Sequence, residues 1–211
     1  MQPTDFKTIS GNPTADYRIL GSKFLAFAVA CTHADAFSEQ LAEIKRAHHS
    51  ATHHCYAWRI NPHQPEEFSQ DDGEPSGTAG LPILNELRSR KLINCGLIVV
   101  RYYGGTKLGK PGLIDAYSRS AALCLDEARI LRVQPGLQIE ICCGYPHKKQ
   151  VDYLLERADA HIADAVYTED VRYTVHVNTQ AADSLTDALQ KLSYLGISCK
   201  SKGGVLITSP L

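Results

Sequence analysis

Apolar positions along the chain fall into segments of two kinds. Residues 23–31, KFLAFAVAC, are apolar at almost every position, as a strand buried on both faces requires. Phe37, Leu41, Ile44 and His48 then recur at helical spacing, and Thr32, three residues before Asp35, reads as the helix N-cap. CYAWRI (55–60) alternates as a strand. Leu81, Leu84 and Leu87 make a short helical stripe, with Pro82 in the first turn, where amides lack partners anyway. CGLIVVRYY (95–103) predicts a second buried strand, and Leu113, Tyr117, Ala121 and Leu125 mark the helix after it. Residues before 23 read as a polar tail. Residues 61–80, with Pro62, Pro65, Gly73, Pro75, Gly77 and Gly80, read as one long loop, a feature that is often functional.

After VQPG (133–136), read as a domain junction, the pattern starts again. LQIEICC (137–143) is a strand and 146–158 a helix opening at Pro146. Residues 161–168 and 171–177 are strands joined by a short acidic turn. Residues 181–195 form a helix capped by Gly196, and a last strand lies within 197–208. Strand–helix–strand, twice over, is the ferredoxin-like split β-α-β arrangement. Its sheet packs both helices on one face. The other face would show Gln138, Glu140, Cys142, Arg172, Thr174 and His176, with no aromatic ring for base stacking. The expected fold is α+β in two domains, 1–134 and 135–211.

Composition narrows the classes. With 44% hydrophobic and 21% charged residues, the chain is an ordinary soluble type. No apolar run approaches the roughly 18 residues that span a bilayer. MQPTDFKTIS lacks a basic and an apolar region, so no secretory signal is expected and the cytoplasm is the default location. Seven cysteines without a C-x-x-C pair argue against a disulfide framework or a thiolate zinc site. They are read as reduced thiols, mostly buried, with Cys142 and Cys143 on opposite faces of their strand. Net charge is −1, split as 15 basic and 14 acidic residues before residue 135 and 7 and 9 after it. An anionic partner must therefore be held by a local cluster.

Three stretches carry candidate chemistry. The first is RYYGGTKLGKPG (101–112). Gly104, Gly109 and Lys110 have the spacing of a phosphate-binding loop, G-x-x-x-x-G-K. The hydroxyl that should follow and hold magnesium is replaced by Pro111, and too few parallel strands follow for a nucleotide hydrolase. What survives is a turn with Gly104, Gly105, Lys107 and Lys110 ahead of a helix, suited to an anion, with Arg101 adding charge. The plainer account is that the glycines only permit tight turns. The second stretch is DDGEPSGTAG (71–80). Asp71, Asp72 and Glu74 could ligate a metal or, for Asp72 and Glu74, act as acid and base; equally, Asp72 or Glu74 could pair with Arg101 and fix the loop. Ser76, Thr78 and the amides entering the next helix make a second anion cradle. The third is HHSATHHC (48–55), where His49 and His53 have a zinc-compatible spacing only if the helix continues past Ser50. Neither a metal nor a cofactor is expected.

ATHHCYAWRI (51–60), DDGEPSGTAGLPIL (71–84) and VVRYYGGTKLGKPGLIDAYS (99–118), with SKFLAF (22–27), resemble the YigZ/Impact family over essentially the whole chain. The resemblance implies an N-terminal α/β sandwich like domain IV of elongation factor G and a domain of a small-subunit ribosomal protein. It also implies a ferredoxin-like C-terminal domain similar to domain V of that factor. Eukaryotic Impact proteins modulate translational control during amino-acid starvation, a stress response. The chain departs from the family pattern at His54 (usually Asn), Pro111 (usually Gly) and Asp115 (usually Arg). The last change removes a positive charge beside the lysine loop. Two functions follow. One is a non-enzymatic, translation-associated regulator binding RNA, the ribosome or a translation factor. The other is an enzyme acting on a small phosphorylated or peptide substrate with Asp72 and Glu74.

Overall fold

The computed structural model describes residues 5–211. They divide into two compact units, one spanning Phe6–Arg132 with Pro210–Leu211, the other spanning Val133–Ser209 with Asp5. No helix of the described residues is long and apolar enough to cross a membrane.

The first unit runs β1 (Phe6–Ser10), β2 (Thr14–Ile19), β3 (Ser22–Ala30), α1 (Ala34–Ala47), β4 (His53–Ile60), β5 (Glu66–Gln70), α2 (Gly80–Ser89), β6 (Cys95–Tyr102) and α3 (Gly109–Asp126). Its sheet has the order β2-β3-β6-β4-β5, and every neighbour pair is antiparallel. Helices cover both faces. Leu97 and Val99 of β6 meet α2 and α3 through Ile83, Leu87, Leu113 and Tyr117. Ile98 and Val100, pointing the other way, join Phe37 and Leu41 of α1. That is why β6 reads as an unbroken apolar run: its two faces are buried in different cores.

The sequence pattern misled in several places, each for a local reason. Of the stretch before 23 that reads as a polar tail, residues 1–4 lie outside the described residues, and Phe6–Ser10 and Thr14–Ile19 are strands. β2 and β3 form a hairpin whose two-residue turn, Leu20 (φ 45°) and Gly21 (φ 81°), is left-handed at both positions, the geometry that matches strand twist. Nor is 61–80 one loop. Glu66–Gln70 pairs with β4, and Phe68 stacks on Trp58 with ring centres 5.8 Å apart. As an edge strand with one apolar residue, it gives almost no periodic signal. The N-cap of α1 is His33 rather than Thr32. In α2, Ile83, Leu84 and Leu87 are buried while Leu81 faces outward.

The second unit takes up β7 (Arg129–Cys143), which the division between units crosses, then α4 (Lys148–Arg157), β8 (His161–Tyr167), β9 (Val171–Asn178), α5 (Thr179–Gln190) and β10 (Ser198–Pro210). VQPG is thus part of an extended strand. Pro135 stands one residue before the β7–β9 ladder opens at Gly136, so its missing N–H removes no bond of that ladder. The strand order β10-β7-β9-β8 with two crossover helices is the ferredoxin-like arrangement. Val151 and Leu155 of α4 and Leu185 and Leu189 of α5 pack on Ile139, Ile141, Val175 and Val177. On the open face Gln138, Glu140 and Cys142 lie directly opposite His176, Thr174 and Arg172. Cys143 is buried on the core side and Cys142 half-buried on the other. The α4 region opens with a 3₁₀ turn at Tyr145–His147. α5 ends at Gln190, before a 3₁₀ turn and left-handed Gly196.

Candidate functional site

The 71–80 and 101–112 loops meet in the first unit, where β6 ends between β3 and β4. Their junction is a buried ion pair. Arg101 Nη1 donates to Glu74 Oε1 at 2.5 Å, with side chains 5% and 4% exposed. Tyr117 OH of α3 donates to the same oxygen at 2.8 Å, and His53 Nε2 lies 3.7 Å away. Arg101 Nη2 reaches Ser22 Oγ at 3.4 Å, and its guanidinium lies over the rings of Phe24 and Tyr103. Arg101 is therefore an interior cation neutralised by Glu74, the alternative to its adding charge to the loop surface. Of the two roles that the residue types allowed Arg101, pairing with Glu74 is the one the fold adopts.

Asp71 holds the entrance of α2. Its carboxylate accepts from the backbone N–H of Gly77 (2.9 Å), Ala79 (3.0 Å) and Gly80 (2.8 Å). The second anion cradle expected at SGTAG is thus occupied by the chain's own carboxylate. Thr78 is buried, its hydroxyl donating to Pro75 O at 2.6 Å, whereas Ser76 is exposed. Asp72, left-handed at φ 45°, accepts from His54 N (2.7 Å) through Oδ2, while its carbonyl accepts from His53 Nδ1 (2.8 Å).

The histidines serve the same packing. α1 stops at Ala47 and β4 starts at His53, so His49 and His53 do not share a helix. His54 Nε2 donates to His48 O at 3.1 Å, and burial pulls its pKa below the usual imidazole value. Cys55 Sγ donates to Asp71 O at 3.0 Å and lies 3.3 Å from Tyr117 OH. Burial pushes both the Cys55 thiol and the Tyr117 phenol far up, so both stay protonated. Among the described residues no three His, Cys, Asp or Glu side chains gather as a metal site.

The glycine–lysine loop itself is open. Tyr103 to Lys107, Gly109 and Lys110 are all exposed. Gly104 donates its N–H to Ser22 Oγ (3.2 Å) and lies so close to the hairpin turn that a β-carbon would sit 1.9 Å from Gly21 C. Tyr103 N–H donates to Thr52 Oγ1 at 3.2 Å. Gly105 has φ 87° with open space around it. Lys107 and Lys110 make no ion pair among the described residues.

α2 and α3 run parallel: Glu86 accepts from Ser118 Oγ (2.8 Å), and one turn further Arg90 reaches Ala122 O (3.2 Å) and Asp126 (2.7 Å). Their N-termini therefore lie at the same end. That of α2 is filled by Asp71. That of α3 has no side-chain cap and no acidic residue in its first turn, which leaves positive potential beside the two lysines. Asp115, one turn on from Pro111, is exposed. Sequence reasoning missed Ser22, Thr52 and Tyr117, because a hydroxyl on an apolar face gives no signal until its partner is known.

Residues 20–125 match the Impact N-terminal domain, and residues 141–193 match a domain of unknown function (DUF1949). A protein of Escherichia coli (strain K12) called IMPACT family member YigZ is 31% identical over 150 residues, 69% of this chain and 72% of that one. A protein of Haemophilus influenzae called an IMPACT family member is 33% identical over 158 residues, 72% and 75% of the two chains. A solved structure described as that of a hypothetical protein superimposes with a TM-score of 0.62 at 25% identity, over 96% of this chain and 98% of that one.

Proposed function

The chain belongs to the Impact family, and from that premise we propose that it is a non-enzymatic, translation-associated module. It holds RNA, or a ribosomal or translation-factor partner, on the glycine–lysine loop. One observation carries the reading. Lys107 and Lys110 stand exposed and unpaired at the uncapped N-terminus of α3, while Asp71, Asp72 and Glu74 beside them are engaged within the fold. Carboxylates that already accept amides, a phenol and a guanidinium serve to shape a surface. In this reading Glu74, Asp71 and Asp72 fix the loop, and the exposed Ser76 rather than Thr78 borders the anion. Asp115 tempers the affinity.

The test is the binding of a fluorescein-labelled RNA oligonucleotide across a salt series. Affinity should fall steeply with salt. Lys107→Ala and Lys110→Ala should each weaken binding irrespective of sequence and flatten the log–log slope by about 0.7–0.9. Asp115→Arg should tighten it. A curve insensitive to salt and to both lysine changes refutes the reading.

A further inference from the structure

At the opposite end of the parallel pair α2/α3, the first unit carries a second basic feature. A groove of about 630 Å³ is lined by Lys7 of β1, Arg90 and Lys91 at the end of α2, and Arg129 at the start of β7, with Leu92 and Ile130 among its apolar lining. No Asp or Glu lines it, and Leu211, the last residue of the sequence, completes the lining. Of the four cations only Arg90 is drawn into an ion pair, with Asp126 at 2.7 Å. Lys7, Lys91 and Arg129 are exposed and make none among the described residues.

Two of these cations follow from helix electrostatics, since basic residues complement a helix C-terminus. That account does not reach Lys7 or Arg129, which arrive from two strands distant in sequence. For Lys91 it accounts for the charge but not for a side chain at that backbone position. Lys91 closes α2 with φ 56°; its N–H donates to Arg88 O (2.9 Å) and that of Leu92 to Leu87 O (3.0 Å). This is the left-handed helix ending in which glycine is the unstrained choice. A lysine stands there although the backbone favours glycine.

We propose that this groove is a second binding surface for the phosphate backbone of RNA, separate from the glycine–lysine loop. The chain is nearly neutral, with a net charge of −1, so a polyanion can be held only where cations gather without compensating carboxylates. The groove brings together three unpaired cations, Lys7, Lys91 and Arg129, against two on the loop. A groove along which several unpaired cations are spread suits a repeating phosphate chain rather than a single small anion. The proposal rests on the RNA arm of the function given above, and its test separates the two.

The probe is a fluorescein-labelled 12-nucleotide oligouridylate, titrated over a salt series against three full-length proteins: the parent, Lys91→Gly with Arg129→Gln, and Lys107→Ala with Lys110→Ala. Lys91→Gly removes the charge while relieving the left-handed strain, so the fold is retained. Losing two contacts should flatten the salt slope by about 1.4 and weaken binding about 25-fold at 0.1 M salt. An affinity and slope unchanged by the groove substitutions would overturn the proposal, as would a parent protein that binds no RNA. Displacement of the RNA by a poly-glutamate peptide at equal strength would also overturn it, in favour of an acidic protein. If only the groove variant weakens binding, the groove stands and the loop reading falls. If only the loop variant does, the reverse holds.

Discussion

Removing the Glu74 carboxylate should destabilise the first unit more than almost any other single change. Glu74 and Arg101 are each about 95% buried as side chains, and Arg101 Nε has no hydrogen-bond partner among the described residues. Taking away one member of such a pair leaves an uncompensated charge in the interior, at a cost of about 3–5 kcal/mol. Glu74→Gln keeps an oxygen for the Tyr117 hydroxyl, so it should fall near the lower figure. Glu74→Ala also strands that hydroxyl, worth about 1–2 kcal/mol more. At about 4 °C per kcal/mol for a unit of this size, melting should drop by more than about 10 °C. Trp58 is the chain's one tryptophan and lies in this unit, so urea melts followed by its fluorescence report the right transition. Glu74→Leu combined with Arg101→Met should recover much of the loss, because an apolar pair of similar volume needs no desolvation. A Glu74→Ala loss below about 1 kcal/mol, or no recovery in the double variant, would refute the assignment of this pair as what fixes the loop.

Three further outcomes follow. Asp71→Ala leaves three amides at the start of α2 without an acceptor and should cost about 2–3 kcal/mol in the same urea assay, with faster hydrogen exchange at Ala79 and Gly80. His54 has a folded pKa below its unfolded value of about 6.5, so the unfolded chain takes up the proton first. Stability should therefore be fully present above pH 6.5 and decline as pH falls from there towards the folded pKa. His54→Asn should flatten that decline in melts taken between pH 7 and 5. Residues 133–209, expressed alone, should show a cooperative thermal transition by circular dichroism, since their core of Ile139, Val151, Val175 and Leu185 is internal to the unit.

Much of this architecture was legible where burial imposes a period. β3 from Phe24 and β6 up to Val100 are apolar at every position because each face meets a different core, and α1 shows its stripe because only Phe37 and Leu41 are fully covered. The ferredoxin-like order could be read from element succession alone. β5 could not, because an edge strand buries little; β2 does alternate, with Ala15, Tyr17 and Ile19 turned to the core, but only as half-buried residues of an edge strand, and it was passed over. At the site, the pairing of Glu74 with Arg101 was among the readings the residue types allowed. That Asp71 would fill the α2 cradle was not, since three carboxylates in four residues look alike until backbone geometry assigns each a partner. The basic groove was invisible for a simpler reason. Its residues lie at 7, 90–91 and 129, and sequence proximity is the only clustering a chain displays before it folds.

The contact between Gly21 and Gly104 has a consequence for how this surface can change. The hairpin turn and the glycine loop touch backbone to backbone, with no side chain between them to absorb a substitution. A library that randomises 103–108 alone will be purged of every variant with a side chain at 104, whatever its merit as a binder. The productive unit of variation is the hairpin turn and the loop together, altered as one cassette. Over evolutionary time, lineages that reshape one should carry a matching change in the other.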